Sequence, residues 1–345
     1  MNEFRRDPIT GHLVIISAAR DARPNQFKDQ DHGANAEFAE ATDCQFCAAS
    51  MDTPPIVSSY NSEGSQFPNQ LVDDWQVCVV PNLYPSLTHD LPKLTKSKRF
   101  DISGLGNTPE PAFGYHEVVI ESPKHVTRFR DLTDQQVRAM LFAYRDRMQS
   151  MQMQEGVRYV QVIKNSGEDA GASVRHSHSQ IFGLPFVPDY VRQEIENSYR
   201  LYSQQDECSF CQQIEHELQS AERIVYESDK FVAWCPYASR VSYEVHIAPR
   251  THRARFEDSS DTLLADFANF LQQTVGLLEL HPRIQAFNYL LHSLPVGRDE
   301  ESSYHWHFEL LPRIAKQAGF EWGTGIYINT IAPEHAAQEI RDTAT

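Results

Sequence analysis

The chain has 345 residues, enough for one large domain or two medium ones that each bury a core of their own. It contains no run of about 18 apolar residues, and residues 1–23 hold no hydrophobic leader, which excludes an ordinary membrane span and a secretory signal and makes the cytoplasm the expected location. A formal charge of -16 argues against a broad nucleic-acid surface, so any phosphate must be held locally.

In chain order, the first landmark is a CxxC pair, Cys44/Cys47, followed by a strand over 74–81 and a second strand, 116–125, that runs into Pro-Lys-His125. Thr133 caps a helix predicted over 134–152, with Val137, Met140, Leu141, Tyr144 and Met148 at helical spacing. A strand over 159–164 leads into the glycine-containing loop 165–175, and His176-Ser-His178 opens a further strand to Leu184. A helix over about 189–202 carries the chain onward without a flexible linker. A second CxxC pair follows, Cys208/Cys211, then strands at 229–236 and 243–252, a helix over 261–280, and strands over 285–291 and 307–311. Cys78 and Cys235 sit inside apolar runs and read as buried small hydrophobes.

The same landmarks therefore occur twice in the same order: CxxC, strand, strand ending near a histidine, helix, His-x-His. About 50 residues separate the last two in each copy, so duplication is the economical explanation. The expected fold class is α+β, two histidine-triad-like units with antiparallel sheets flanked by helices. Residues 1–188 form the expected catalytic half and 189–345 the second, packed together as one body.

Each CxxC turn supplies two thiolates, and a tetrahedral zinc site needs two more ligands. The recurring histidines complete the sets: Cys44, Cys47, His125 and His176 in the first half, and Cys208, Cys211, His252 and His305 in the second, with His116 and His292 as substitutes or supporting groups. The competing reading, unrelated reduced or redox cysteines, lacks a thioredoxin-like context. Closed Cys2His2 shells leave no position for water, so both sites are expected to be structural.

In a strand, residues two apart share a face, which puts His176, His178 and Gln180 together. With His176 pinned by a metal, His178 is held in place. Its neutral imidazole is a good nucleophile towards phosphorus and a good leaving group once protonated, as a two-step group transfer needs. Backbone amides at Gly171, Ala172 and Ser173 are expected to stabilise charge on phosphate oxygens. His305-Trp-His307 has no such loop before it and is expected to be catalytically silent.

At these residues the sequence resembles the galactose-1-phosphate uridylyltransferase family of the histidine triad superfamily, over nearly the whole chain. Arg5-Arg-Asp-Pro-Ile-Thr-Gly-His12 and Ala19-Arg-Asp-Ala-Arg-Pro24 look like its N-terminal signature, and His176-Ser-His-Ser-Gln180 like its active-site strand. The resemblance implies a homodimer with a ping-pong mechanism. His178 would attack the α-phosphorus of a nucleotide sugar, release hexose 1-phosphate and hold a nucleotidyl-histidine until another hexose 1-phosphate arrives. It further implies that Gln180 helps hold the covalent intermediate and that Ser173 contacts phosphate. Arg20, Arg23, Asn82 and Asn165 would touch the nucleotide, and Lys316, Phe320 and Glu321 the hexose phosphate, partly across the subunit interface. Implied cofactors are two zinc ions per chain, with iron as the alternative at the second site.

Two features depart from the best-known bacterial pattern. Asn82-Leu83 stands where that pattern has Asn-Asp, and the second CxxC stands where it uses a His/Glu iron site. Cys208/Cys211 and the segment 320–329 resemble a sister branch that includes plant-type ADP-glucose phosphorylase and thermophile uridylyltransferases, which leaves uracil and adenine both open. The leading expectation is uridylyl transfer between UDP-glucose and galactose 1-phosphate; its rival is an ADP-glucose phosphorylase or adenylyltransferase. A dinucleoside polyphosphate hydrolase fits less well because Gln180 replaces the usual third histidine. A zinc-stabilised, non-catalytic nucleotide-binding protein is the reading from another class.

Overall fold

The computed structural model describes residues 3–16, 44–47, 55–89 and 112–343. Arg20 and Arg23 lie outside them. β1 (Glu3–Arg6) and β2 (Leu13–Ile16) are followed by β3 (Ser58–Asn61), β4 (Gln66–Pro68), β5 (Trp75–Pro81) and β6 (Tyr115–Ile120). α1 (Asp134–Gln152) begins at a reciprocal cap, in which Thr133 Oγ1 accepts from Gln136 N and Gln136 Oε1 accepts from Thr133 N. β7 (Tyr159–Ser166), the glycine-containing loop and β8 (His178–Leu184) complete the first copy.

α2 (Asp189–Gln205) runs three residues beyond the predicted end, until Asp206 adopts a left-handed conformation that terminates it. The second copy comprises α3 (Ser209–Ser220), β9 (Ile224–Glu227), β10 (Phe231–Trp234), β11 (Val245–Pro249), α4 (Asp261–Leu280), β12 (Phe287–His292) and β13 (His307–Pro312). The chain closes with α5 (Gly319–Thr324), β14 (Tyr327–Asn329) and α6 (Pro333–Asp342). β14 extends the small β1-β2 sheet in parallel.

The remaining strands form one antiparallel sheet of 11 strands in the order β4-β3-β5-β6-β8-β7-β12-β13-β11-β10-β9. That order reads outward from β7/β12 as the same five-strand topology twice, with β4 added at one edge, so the repeat seen in sequence becomes two matching half-sheets joined at β7/β12. The β7/β12 ladder pairs Asn165 with Asn288 and Lys164 with Tyr289, placing the strand that leads into the glycine-containing loop directly against the second copy. α1 and α4 lie together on one face. Their stripes, including Val137, Met140, Leu264, Phe267 and Leu271, pack on Val79, Val119, Val162, Ile181, Tyr289 and Phe308 in one continuous core. Cys78 and Cys235 are fully buried, as their apolar surroundings imply. The opposite face of the first copy carries Trp75, Cys78, Val80, Val118 and Ile120, with Phe46 against them. Because the chain alternates through Ser177 and into β8, Ser177 and Ser179 turn towards the helices, and His178 and Gln180 towards the Phe46 side. Among the described residues, no helix is long and apolar enough to cross a membrane.

Candidate active site

Both predicted Cys2His2 sets converge. In the first, Cys44 Sγ lies 3.5 Å from His176 Nδ1, and Cys47 Sγ lies 3.5 Å from His125 Nδ1 and 3.7 Å from His176 Nδ1. In the second, Cys211 Sγ lies 3.3 Å from His252 Nδ1 and 3.5 Å from His305 Nδ1, with Cys208 in the same cluster. Metal bonds of about 2.3 Å to sulfur and about 2.0 Å to nitrogen give tetrahedral S···N edges of about 3.5 Å, so both donor sets fit a tetrahedral ion. The second nitrogens of His176 and His252 are fixed by carbonyls, Ser122 O at 2.9 Å and Glu301 O at 2.7 Å, which turns Nδ1 of each towards the sulfurs.

The histidines proposed as alternatives are elsewhere. His116 contacts Gln180, and His292 joins Glu194 and His307 in a third convergence of ligand-type atoms, with Glu194 Oε1 and His292 Nε2 lacking hydrogen-bond partners among the described residues. A His/Glu group and a Cys2His2 group therefore coexist in the second copy, where the sequence suggested one in place of the other. Beside them, Arg240 bridges Glu244 and Glu309, so a side-chain cation already occupies that cluster.

His178 is 7% exposed. Its Nδ1 lies 2.8 Å from the carbonyl of His176, which can only accept, so Nδ1 carries the proton and Nε2 holds a free lone pair. Burial lowers the pKa of His178; the His176 carbonyl opposes that shift, and the buried ammonium of Lys164 adds to it. The neutral, nucleophilic form is favoured. Phe46 covers the ring edge-on at 5.2 Å.

Beneath the strand, on the helix side, Lys164 Nζ donates to Glu121 Oε2 at 2.5 Å, Ser177 Oγ at 2.9 Å and the carbonyl of His178 at 3.2 Å. All three ammonium protons are thus used in a dry environment. The sequence singled out neither Lys164 nor Glu121. The signal was a charge closing each of two largely apolar strand runs, 159–163 and 118–120.

The loop before His178 is a tight turn. Gly167 has φ 87°, and a Cβ there would lie 2.7 Å from Ala286 Cβ, so only glycine lets the loop approach the second copy. The expected set of three free amides is corrected: Gly171 N donates to Glu168 O and Ala172 N to Gly167 O, which closes the turn and leaves the amide and hydroxyl of exposed Ser173 outside it. Ser173 and Ala172 open onto a cavity of about 1150 Å³ shared with His125, Arg128 and Arg175. Asn165 Oδ1 accepts from Asn288 Nδ2, and Asn82 Oδ1 accepts from Tyr84 N.

The residues expected at the hexose phosphate stand apart within the chain. Phe320 is 44% exposed on α5, and Glu321 Oε2 accepts from Ala318 N at that helix's start. Among the described residues, no hydrogen bond or ion pair joins Lys316, Phe320 or Glu321 to the His178 strand.

Comparison with known proteins fits this architecture. The family described as galactose-1-phosphate uridyl transferase, N-terminal domain, matches residues 1–188, and a domain of unknown function (DUF4921) matches residues 130–344. An ADP-glucose phosphorylase of Arabidopsis thaliana is 31% identical across 99% of this chain and 93% of its own length. A galactose-1-phosphate uridylyltransferase of Thermotoga maritima is 26% identical across 99% of both chains. The crystal structure of an Arabidopsis thaliana ADP-glucose phosphorylase with bound ADP-glucose superposes with a TM-score of 0.82 at 28% identity, covering 99% of this chain and 98% of that one. By profile, by full-length relatives and by fold, this chain belongs to the galactose-1-phosphate uridyl transferase family and is a nucleotidyltransferase of that family.

Proposed function

We propose that the chain transfers UMP between UDP-glucose and galactose 1-phosphate through a covalent nucleotidyl-His178. The observation that carries this reading is the buried imidazole whose Nδ1–H is committed to the His176 carbonyl, leaving Nε2 as nucleophile with Gln180 two residues beyond on the same face. Nε2 attacks the α-phosphorus, the bond to the bridging oxygen breaks, and hexose 1-phosphate departs with that electron pair. A second hexose 1-phosphate then attacks the same phosphorus, and the N–P bond breaks to return neutral His178. Ser173 holds phosphate oxygens through its remaining amide and hydroxyl, Gln180 donates to the transferred phosphoryl group, and Asn82 and Asn165 contact the nucleotide, as do Arg20 and Arg23. Gly171 and Ala172 act by shaping the turn.

Two zinc ions are the proposed occupants of the Cys2His2 sets, with iron the alternative at the second. The bound metal supplies a rigid anchor for His176 and, through its carbonyl, for His178. In this reading residues 1–188 carry the chemistry, while 189–345 carry the second metal and the hexose phosphate contacts of Lys316, Phe320 and Glu321, presented across a homodimer interface.

A second reading keeps the same mechanism and changes the substrate: an ADP-glucose phosphorylase, favoured by the 31% identical relative of that name. Intact-mass measurement after incubation with UDP-glucose or ADP-glucose separates them, with released glucose 1-phosphate as the second readout. A uridylyl adduct on unmutated protein and none on His178→Ala supports uridylyl transfer; an adenylyl adduct moves the assignment to the phosphorylase. No adduct and no sugar phosphate from either donor, in metal-replete protein, would overturn both.

A further inference from the structure

Gln180 has two chemically different ends. Its carboxamide nitrogen donates two hydrogen bonds and its oxygen only accepts, so the nitrogen stabilises a phosphoryl oxygen and the oxygen repels it. Which end meets the transferred group is decided by what holds the other.

The partner is His116, across the β6/β8 ladder. Ser86 N lies 3.1 Å from His116 Nδ1, and a backbone amide can only donate, so Nδ1 is the unprotonated nitrogen and the proton of the neutral ring sits on Nε2. Burial lowers the pKa of His116, which keeps the ring neutral, although the contact with Gln180 acts the other way. Two groups approach Nε2: Gln180 Oε1 at 2.8 Å and Asn82 Nδ2 at 3.0 Å. Asn82 Nδ2 is itself a donor, because Asn82 Oδ1 is turned the other way to accept from Tyr84 N at 2.8 Å. Only Gln180 Oε1 can take the proton. The ring cannot easily turn away, since it stacks on Phe182 with centroids 4.0 Å apart.

We infer that His116 is a positioning residue for nucleotidyl transfer: its Nε2–H pins Gln180 Oε1, which points the two amide protons of Gln180 at the phosphoryl group carried by His178. The segment 82–86 sets this orientation through Ser86 N, which links the proposed nucleotide contact at Asn82 to the phosphoryl end of the site. The inference rests on the function proposed above.

The test measures adduct formation in single turnover, with donor KM and thermal midpoint, for wild type, His116→Phe, His116→Gln, Gln180→Ala and the His116→Phe/Gln180→Ala pair. Phenylalanine keeps a stacking ring and removes the donor; glutamine restores an N–H at similar reach. His116→Phe is expected to slow adduct formation about 10- to 100-fold with donor KM within about threefold of wild type and an unchanged midpoint. Adding Gln180→Ala should slow it little further, and His116→Gln should recover most of the rate. Wild-type rates in His116→Phe, losses that multiply in the double variant, or no recovery in a folded His116→Gln would each overturn the positioning role while leaving the proposed function intact. A wild type that forms no adduct from either donor would instead overturn the parent function and this inference with it.

Discussion

The side-chain amide of Asn288 crosses the join between the two half-sheets and donates to Asn165 Oδ1 at 2.8 Å. Its second proton goes to the carbonyl of Ala170, also at 2.8 Å. One side chain of the second copy therefore braces both the proposed nucleotide contact and the turn that presents Ser173. Replacing Asn288 with alanine leaves both acceptors without this partner, at a cost of about 1–3 kcal/mol if water does not replace it. We expect Asn288→Ala to slow adduct formation roughly tenfold, in keeping with the sensitivity of group transfer to small displacements, while the sheet remains folded. Single-turnover mass spectrometry beside circular dichroism checks it; an unchanged rate would mean that the loop holds its shape without the second copy.

The ion pair of Lys164 and Glu121 lies under His178, the proposed nucleophile, with the two side chains 2% and 0% exposed. Lys164→Met leaves the buried Glu121 carboxylate uncompensated, and breaking such a pair costs about 3–5 kcal/mol. Lys164→Met/Glu121→Leu removes both charges and should regain much of that stability. Urea unfolding of the two variants decides it, since equal destabilisation would show that packing, and not charge, dominates there. The double variant should nevertheless form adduct more slowly than wild type, because the carbonyl of His178 still loses its ammonium partner.

Much of this arrangement was legible in the sequence because it depends on period and order. Thr133 and the apolar stripe after it fix α1, the helix predicted over 261–280 is α4, and the repeated CxxC and His-x-His spacings bring each donor set together. Contacts that depend on register between the copies were not legible. Asn288 stands in an apolar strand run, and nothing local says that Asn165 is its ladder partner. The commitment of the Gly171 and Ala172 amides is a property of turn geometry, set by the left-handed φ of Gly167 and Gly171, and the residue types alone left those amides free.

The two metal sites should differ in what their loss does. His176 holds both a proposed metal bond and the carbonyl that orients His178, whereas His305 orients His307 in the copy expected to be silent. Cys47→Ser should lower bound metal by about one equivalent per chain and nearly abolish adduct formation. Cys211→Ser should remove a similar amount of metal and lower the thermal midpoint, yet leave adduct formation within about threefold of wild type. Metal analysis and intact mass on the same samples check this; equal loss of adduct in both variants would show that the second site supports the chemistry as well.

Arg240 holds the second copy's polar cluster together, pairing with Glu244 at 2.5 Å and Glu309 at 2.8 Å and bonding the hydroxyl of Tyr190. Burial alone would raise the pKa of Glu309, but Arg240 and the neighbouring histidines outweigh it and hold the carboxyl well below the usual carboxylate range. A depressed folded-state pKa contributes stability that is complete above the unfolded value of about 4.5 and drains away as pH falls below it. Arg240→Met removes the largest of the attractions that offset burial, so the Glu309 carboxyl binds protons more readily than in wild type, even with His292, His246 and His307 still beside it, and acidification relieves the variant. We therefore expect a deficit of about 3–5 kcal/mol against wild type at pH 7.5 that narrows by pH 5. Denaturant midpoints of both proteins at the two pH values test this. A gap that stays constant would assign Arg240's contribution to packing against Tyr190 instead of to charge.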